Sequence, residues 1–263
     1  MYYQSITGVP NFVSEEFSSR KTKYCLCIPI INEGDRILNQ LERAKNNNIH
    51  NLIDIILCDG GSTDGSMEPE RLKSLGVNTL LTKKDSGKQG AQLRMGFWFA
   101  LERGYEGIIT IDGNNKDSIE STPLFIEKLD NKFDFIQGSR YYKGGEAINT
   151  PMIRHLAVKF IHSPIISLTA KHKFTDSTNA FRAYSKKYLT HQDVLPFRDI
   201  FVTYELLAYL SVRASQLGLK VGEVPVSRAY PKKGKTPTKI SFFKGNGNLL
   251  KILIKNLKGD YKP

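Results

Sequence analysis

Three cysteines, one tryptophan and four methionines are few for 263 residues. Cys25, Cys27 and Cys58 all lie in apolar, strand-like runs, and their odd number has no metal-type spacing. That excludes a disulfide framework and a cysteine zinc site, and the thiols read as reduced core residues. No stretch approaches the roughly 18 uninterrupted apolar residues of a membrane-spanning helix. No charged start followed by an apolar run marks a secretory leader. The expected location is therefore cytoplasmic, with the inner face of the membrane as the alternative. Internal repeats are missing too. With 40% hydrophobic residues the chain has enough apolar surface for a packed core, which excludes extended disorder.

Negative charge is also scarce. Against 38 Lys/Arg stand 26 Asp/Glu, a net charge of +12. From Arg228 to Pro263 ten Lys/Arg face a single Asp. Such a tail fits an anionic partner: a diphosphate, an acidic membrane surface or nucleic acid. No basic patch interleaved with aromatics is present, which argues against nucleic acid.

What is present is an alternating pattern. Residues 1–22 are polar and patternless and read as a loosely attached arm. Apolar runs at 24–31, 53–58, 77–81, 108–111 and 133–137 read as strands, with helical patterns between most of them. Strand–helix alternation predicts a doubly wound, Rossmann-like, mostly parallel sheet with helices on both faces. Residues 151–171 read as a helix kinked at Pro164, with Leu156, Phe160, Ile161 and Leu168 among its packing residues. Helices at 203–217 and 248–258 follow, and no linker separates independent domains. Residues 23–228 therefore read as one domain in two parts, 23–145 and 146–228, followed by a basic loop and an amphipathic helix in 229–263.

Three strands end in polar loops, which puts those loops on one sheet edge, where open α/β sheets bind ligands. The first loop holds Asn32 and Glu33. The second runs Asp59-Gly60-Gly61-Ser62-Thr63-Asp64-Gly65. The third runs Asp112-Gly113-Asn114-Asn115-Lys116-Asp117. Oxygen-rich loops of this kind suit Mg²⁺ shared with substrate phosphates. They equally suit capping of the following helices.

Four motifs in this order resemble a family 2 glycosyltransferase of the GT-A fold, in the dolichyl- or polyprenyl-phosphate sugar synthase branch. They are Ile28-Pro29-Ile30-Ile31-Asn32-Glu33; Cys58 to Ser66; Gly87-Lys88-Gln89-Gly90-Ala91 with Asp112-Gly113-Asn114; and Gly138-Ser139-Arg140 with Thr175 to Arg182. The likeness covers residues 24–182. It implies transfer of a sugar from a UDP- or GDP-sugar to a polyprenyl phosphate or a saccharide, with inversion, in bacterial-type surface-glycan synthesis.

The resemblance also assigns residues. Pro29, Asn32, Glu33, Asp59, Gly61, Ser62, Asp64, Lys88, Asp112, Gly113 and Asn114 would bind the donor. Glu33 could instead complement its helix dipole, and Asp64 could instead hold its own loop. Asp112, Asn114 and Asp117 would hold Mg²⁺ or Mn²⁺. Asn114 replaces the usual second Asp, Lys116 stands where a Gln is usual, and Gly60 where another Asp is usual. These departures leave metal independence open, and a nucleotide-binding module without turnover is the alternative function. Asp176 would be the catalytic base, and Arg140 and Arg182 would clamp phosphate. Lys232, Lys233, Lys235 and Lys239 would close over the diphosphate or acceptor as a lid. The C-terminal helix, apolar on one side and cationic on the other, would contact the membrane or pack on the core.

Overall fold

A computed structural model describes residues 2–3, 8–231 and 242–263, with side chains for 8–231 and 247–263. The expected lid lysines, Lys232, Lys233, Lys235 and Lys239, lie outside the described residues.

Eleven strands are present among the described residues: β1 (Tyr2–Tyr3), β2 (Phe12–Glu16), β3 (Tyr24–Ile30), β4 (Asp54–Asp59), β5 (Val77–Lys83), β6 (Gly107–Thr110), β7 (Phe135–Ser139), β8 (Glu146–Ile148), β9 (Arg182–Ser185), β10 (Val221–Pro225) and β11 (Ser227–Ala229). The helices are α1 (Asp35–Asn46), α2 (Ile49–Leu52), α3 (Pro69–Ser74), α4 (Gln89–Glu102), α5 (Thr122–Asp130), α6 (Met152–Ala157), α7 (Ser163–Ala170), α8 (Lys186–Leu189), α9 (Glu205–Gln216) and α10 (Phe242–Lys258). Nine strands form one sheet in the order β1-β2-β5-β4-β3-β6-β9-β7-β10. Pairing is parallel from β5 through β4 and β3 to β6, and again between β7 and β10. β9 enters antiparallel between β6 and β7.

β3 is buried along its whole length. Its alternate residues divide between two cores: Cys25 and Cys27 face a cluster with α4, α9 and α10, while Leu26 and Ile28 face one with α1 and α5. A strand covered on both faces needs an unbroken apolar run, which is what 24–31 supplies. The three thiols are free and buried. α4 is buried nearly all round, so its apolar residues do not confine themselves to one stripe.

Three expectations are corrected. Residues 12–16 are not a loose arm: β2 pairs with β5, and Phe12 is fully buried edge-on against Trp98 and Phe99. The helix over 151–171 is α6, a π-helical turn at Val158–His162, and α7 with Pro164 in its first turn. The wide turn absorbs the break that a residue without an N–H imposes. Of that segment's expected packing residues, Leu156, Phe160, Ile161 and Leu168 are exposed. In α10, Ile252, Leu253 and Asn256 face inward, whereas Leu250, Ile254 and Leu257 remain exposed.

β11 pairs with β8 as a separate two-stranded sheet, and Arg228 bridges to Asp117. This small sheet had no apolar run to announce it. It sets Arg228 beside the loop that follows β6.

Candidate active site

The loops after β3 and β4 are tied together by their own side chains. Thr63 donates its backbone N–H to Asn32 Oδ1 at 2.8 Å, and Asn32 N donates to Ser62 Oγ at 2.9 Å. Asn32 adopts φ 47°, a left-handed conformation that Asn tolerates better than most residues. Gly34 N donates to Asp64 Oδ2 at 2.8 Å, and Asp64 Oδ1 accepts from Ser66 N and Oγ. Asp64 thus holds its own loop and the neighbouring one. Burial raises its carboxyl, but the Ser66 and Gly34 bonds outweigh that and leave it below the usual range.

Asp59, expected to face the nucleotide, turns into its loop. It accepts from Gly61 N at 3.1 Å, Ser62 N at 3.0 Å and Ser62 Oγ at 2.6 Å, and it is buried. Glu33 takes the Nε–H of Arg36, in the first turn of α1, at 2.8 Å. Pro29 is buried inside β3, opposite Cys58. A Cβ on Gly60 would come 3.0 Å from Gln92 Nε2, so that amide crowds any side chain placed there.

Asp112 is where the elements meet. Gln89, the first residue of α4, donates Nε2–H to its Oδ1 at 3.0 Å. Asn114 Nδ2 lies 3.3 Å and Arg228 Nη2 3.4 Å from its Oδ2. Lys88, expected at the donor, is exposed, and the side-chain contact of this loop with Asp112 is made by Gln89. Gly113 is required sterically: a Cβ there would lie 2.2 Å from Ile30 Cγ2. Asn115, at φ 56°, turns the loop and donates its N–H to the buried Gln40 Oε1 at 2.8 Å. Arg43 holds the same loop through Asn115 Oδ1.

Asp117 is buried and paired with Arg228 Nη1. Burial pushes the Asp117 carboxyl up, against the pull of Arg228. Burial works against the Arg228 charge as well, but Asp117 and Asp112 more than offset it and hold the guanidinium protonated. Lys116 is lowered by burial and by repulsion from Arg228.

Around Tyr230 the cations gather. Lys116 Nζ lies 5.3 Å from its ring centroid, Arg154 Cζ 5.7 Å and Arg228 Cζ 5.8 Å. Arg154 Nη1 is 3.3 Å from the phenol oxygen. Burial raises the Tyr230 phenol, but Arg228, Arg154 and Arg140 outweigh burial and bring it below its ordinary value. Such a positive field suits a ligand carrying several negative charges.

Asp176 and Arg140 form a pair buried on both sides. Arg140 Nε and Nη2 donate to the two Asp176 oxygens at 2.7 and 3.0 Å, and Thr178 N donates to Oδ1 at 3.0 Å. Burial alone would raise Asp176, but Arg140 outweighs it and holds the carboxyl below the usual range. Glu223 accepts from Thr175 N and Oγ1 and fixes the start of this turn. Arg182 does not reach the site: its guanidinium donates to the carbonyls of Ser177, Asn179 and Leu207 and to Ser211 Oγ, all in the interior.

A hard divalent cation is commonly held by one or two carboxylates, waters and substrate phosphates. Asp112, partly exposed at the loop edge, fits that role. Asp117 does not, because Arg228 covers it in the interior. Asn114 turns its oxygen to the Lys116 N–H, 3.3 Å away, and its nitrogen to Asp112. Among the described residues no group of three His, Cys, Asp or Glu side chains is arranged to hold an ion.

The sequence reading missed Gln89 as a contact, Arg154, Glu223, Arg228 and Tyr230. Only the cationic bias of the tail hinted at Arg228.

Residues 25–191 match the model of "Glycosyl transferase family 2". The chain is 26% identical over 177 residues to an undecaprenyl-phosphate mannosyltransferase of Micrococcus luteus, covering 66% of this chain and 71% of that protein. It is 25% identical to a polyprenol monophosphomannose synthase of Mycolicibacterium smegmatis, over 66% of each. A dolichol-phosphate mannosyltransferase of Pyrococcus furiosus is 26% identical over 82% of this chain and 59% of its own length. Among solved structures, glucosyl-3-phosphoglycerate synthase from Mycobacterium tuberculosis, in complex with Mn²⁺, UDP and phosphoglyceric acid, superposes with a TM-score of 0.64. The match covers 90% of this chain and 78% of that one at 14% identity, a likeness of fold.

Proposed function

The chain belongs to glycosyl transferase family 2 and is a glycosyltransferase; from that premise we propose that it moves one sugar from a nucleoside diphosphate donor to a polyprenyl phosphate, with inversion. The observation that carries this reading is the convergence on Asp112 of Gln89 from α4 and Arg228 from β11, beside the cations around Tyr230. Residues from both parts of the domain, 23–145 and 146–228, thus meet at one carboxylate beside several cations. The donor diphosphate would lie against this cluster, with its base and ribose toward the Asn32–Ser62–Asp64 loops. Asp112 would hold a divalent cation together with the donor phosphates. Such an ion, when bound, supplies charge neutralisation for the departing nucleoside diphosphate. Arg154, Lys116 and Arg228 would add fixed positive charge at the same place.

Two observations favour a phosphate acceptor over a saccharide hydroxyl. A phosphate oxygen needs no base, and Asp176, the expected base, is buried in its pair with Arg140. The three mannosyl-transferring relatives are also named for polyprenyl phosphates. Asp176 would then keep Arg140 in place below the acceptor site. A lipid-borne acceptor would be met at the inner face of a membrane. No described helix is long and apolar enough to cross one. The test is incubation of the full chain with UDP- and GDP-sugars and either a short-chain polyprenyl phosphate or an oligosaccharide. Transfer to the lipid phosphate supports the reading. Transfer to the saccharide alone replaces the acceptor. Tight nucleotide binding without turnover favours the binding module instead.

A further inference from the structure

α6 buries none of its six residues. Met152 and Ile153 are 70% and 65% exposed, and Leu156 projects beside them. Phe160 in the π turn is 65% exposed, and Leu168 in α7 is 69% exposed. α10 packs against α7, and Ile166, Ala170, Ile252 and Leu253 from the two helices share one core. On α10 the exposed apolar residues, Leu250, Ile254 and Leu257, recur at helical spacing as a stripe beside the buried one. Lys251, Lys255 and Lys258 form the next stripe round and are exposed. Of the sixteen exposed large apolar side chains among the described residues, nine lie on these two segments. That concentration marks an interaction surface rather than scattered exposure.

We propose that the outward faces of the α6–α7 segment and of α10 form a docking surface for an anionic lipid bilayer, with α6–α7 as its more deeply inserted part. Charge selects this occupant. The sequence has no Asp or Glu between residues 147 and 175, nor between 242 and 259, while it places four Lys/Arg in each segment. A second copy docked through the same face in a two-fold contact would set lysines against lysines. An anionic leaflet attracts the lysines and covers the apolar side chains together. The surface adjoins the site: Arg154 of α6 points to the Tyr230 phenol, while its neighbours Met152, Ile153 and Leu156 are exposed. For the acceptor the inference rests on the lipid-phosphate reading, since it places a membrane-borne phosphate within reach of Arg154; for vesicle binding it stands without that reading.

The experiment uses the full chain and vesicles of phosphatidylcholine alone or with one quarter phosphatidylglycerol, free of nucleotide and polyprenyl phosphate. Cosedimentation with the anionic vesicles is expected, at least tenfold tighter than with neutral ones and weakened by salt. The variant Met152→Ser/Ile153→Ser/Phe160→Ser, altered only at exposed positions, is expected to lose at least tenfold in binding with unchanged circular dichroism. It should retain transfer to a soluble short-chain acceptor. Phe160→Trp should show a blue-shifted emission on the vesicles. Absence of binding, binding unaffected by the triple variant, or a wild-type dimer that the variant dissociates would overturn the proposal. If transfer fails in the wild type while vesicle binding persists, the functional reading fails and the docking surface stands.

Discussion

Arg228 and Asp112, 116 positions apart in the chain, meet with Nη2 3.4 Å from Oδ2. The same guanidinium covers the buried Asp117. One cation therefore neutralises the interior carboxylate and leaves the outer one partly exposed to a ligand. Arg228→Met strands Asp117 without a partner in the interior, which costs on the order of 3–5 kcal/mol. Urea denaturation should show that loss, and Asp117→Asn in the same chain should recover most of it.

Gln89 and Lys88 are neighbours with different expected effects. Gln89→Ala removes a donor to Asp112 and should lower kcat/KM by about tenfold or more, the order of one hydrogen bond to a charged group. Lys88→Ala, at an exposed side chain, should change it by less. Steady-state kinetics on the two variants side by side checks this.

Gly113→Ala would press a methyl group to 2.2 Å from Ile30 Cγ2. Overpacking of this kind costs about 1–3 kcal/mol. The loop carrying Asp112 should shift to relieve it, so thermal stability and turnover should fall together.

The Asp176 carboxyl is lower in the folded chain than its unfolded value near about 4. A depressed carboxyl stabilises the fold fully above that value and loses the contribution as pH falls through the lower, folded one. The stability difference between wild type and Asp176→Asn should therefore shrink as the pH is taken from neutral into the acid range below about 4. Urea midpoints for both proteins over that range check it.

Tyr230 should titrate below the roughly pH 10 of an ordinary phenol, because Arg228, Arg154 and Arg140 favour its anion. Ultraviolet difference titration should show one low phenol that Tyr230→Phe removes. Saturating nucleoside diphosphate should move it upward by cancelling the positive field.

The strands that build the site edge were legible because each is an apolar run ending in polar residues. The loops at Asn32, Asp59 and Asp112 fall at the ends of β3 and β4 and just beyond β6 for that reason. Side-chain direction was not legible. Asp59 and Asp112 look alike in sequence, yet one closes its own turn and the other meets Gln89 and Arg228. Asp176 and Arg140 are 36 positions apart, and nothing local says that they neutralise each other. The apolar pattern of 151–171 was plain, but periodicity cannot tell a core face from an uncovered one. β2 was missed because five residues with a short alternation look like an arm until β5 is there to pair with.

The most direct measurement is sugar transfer by wild type and Asp112→Asn on the same donor and polyprenyl phosphate, each checked for an unchanged fold by circular dichroism. Asp112 is partly exposed, so the variant should fold, and its turnover should fall by about 10²–10³, the scale of losing one preorganised electrostatic contact in a transition state. Turnover within about twofold of wild type would contradict a site centred on Asp112.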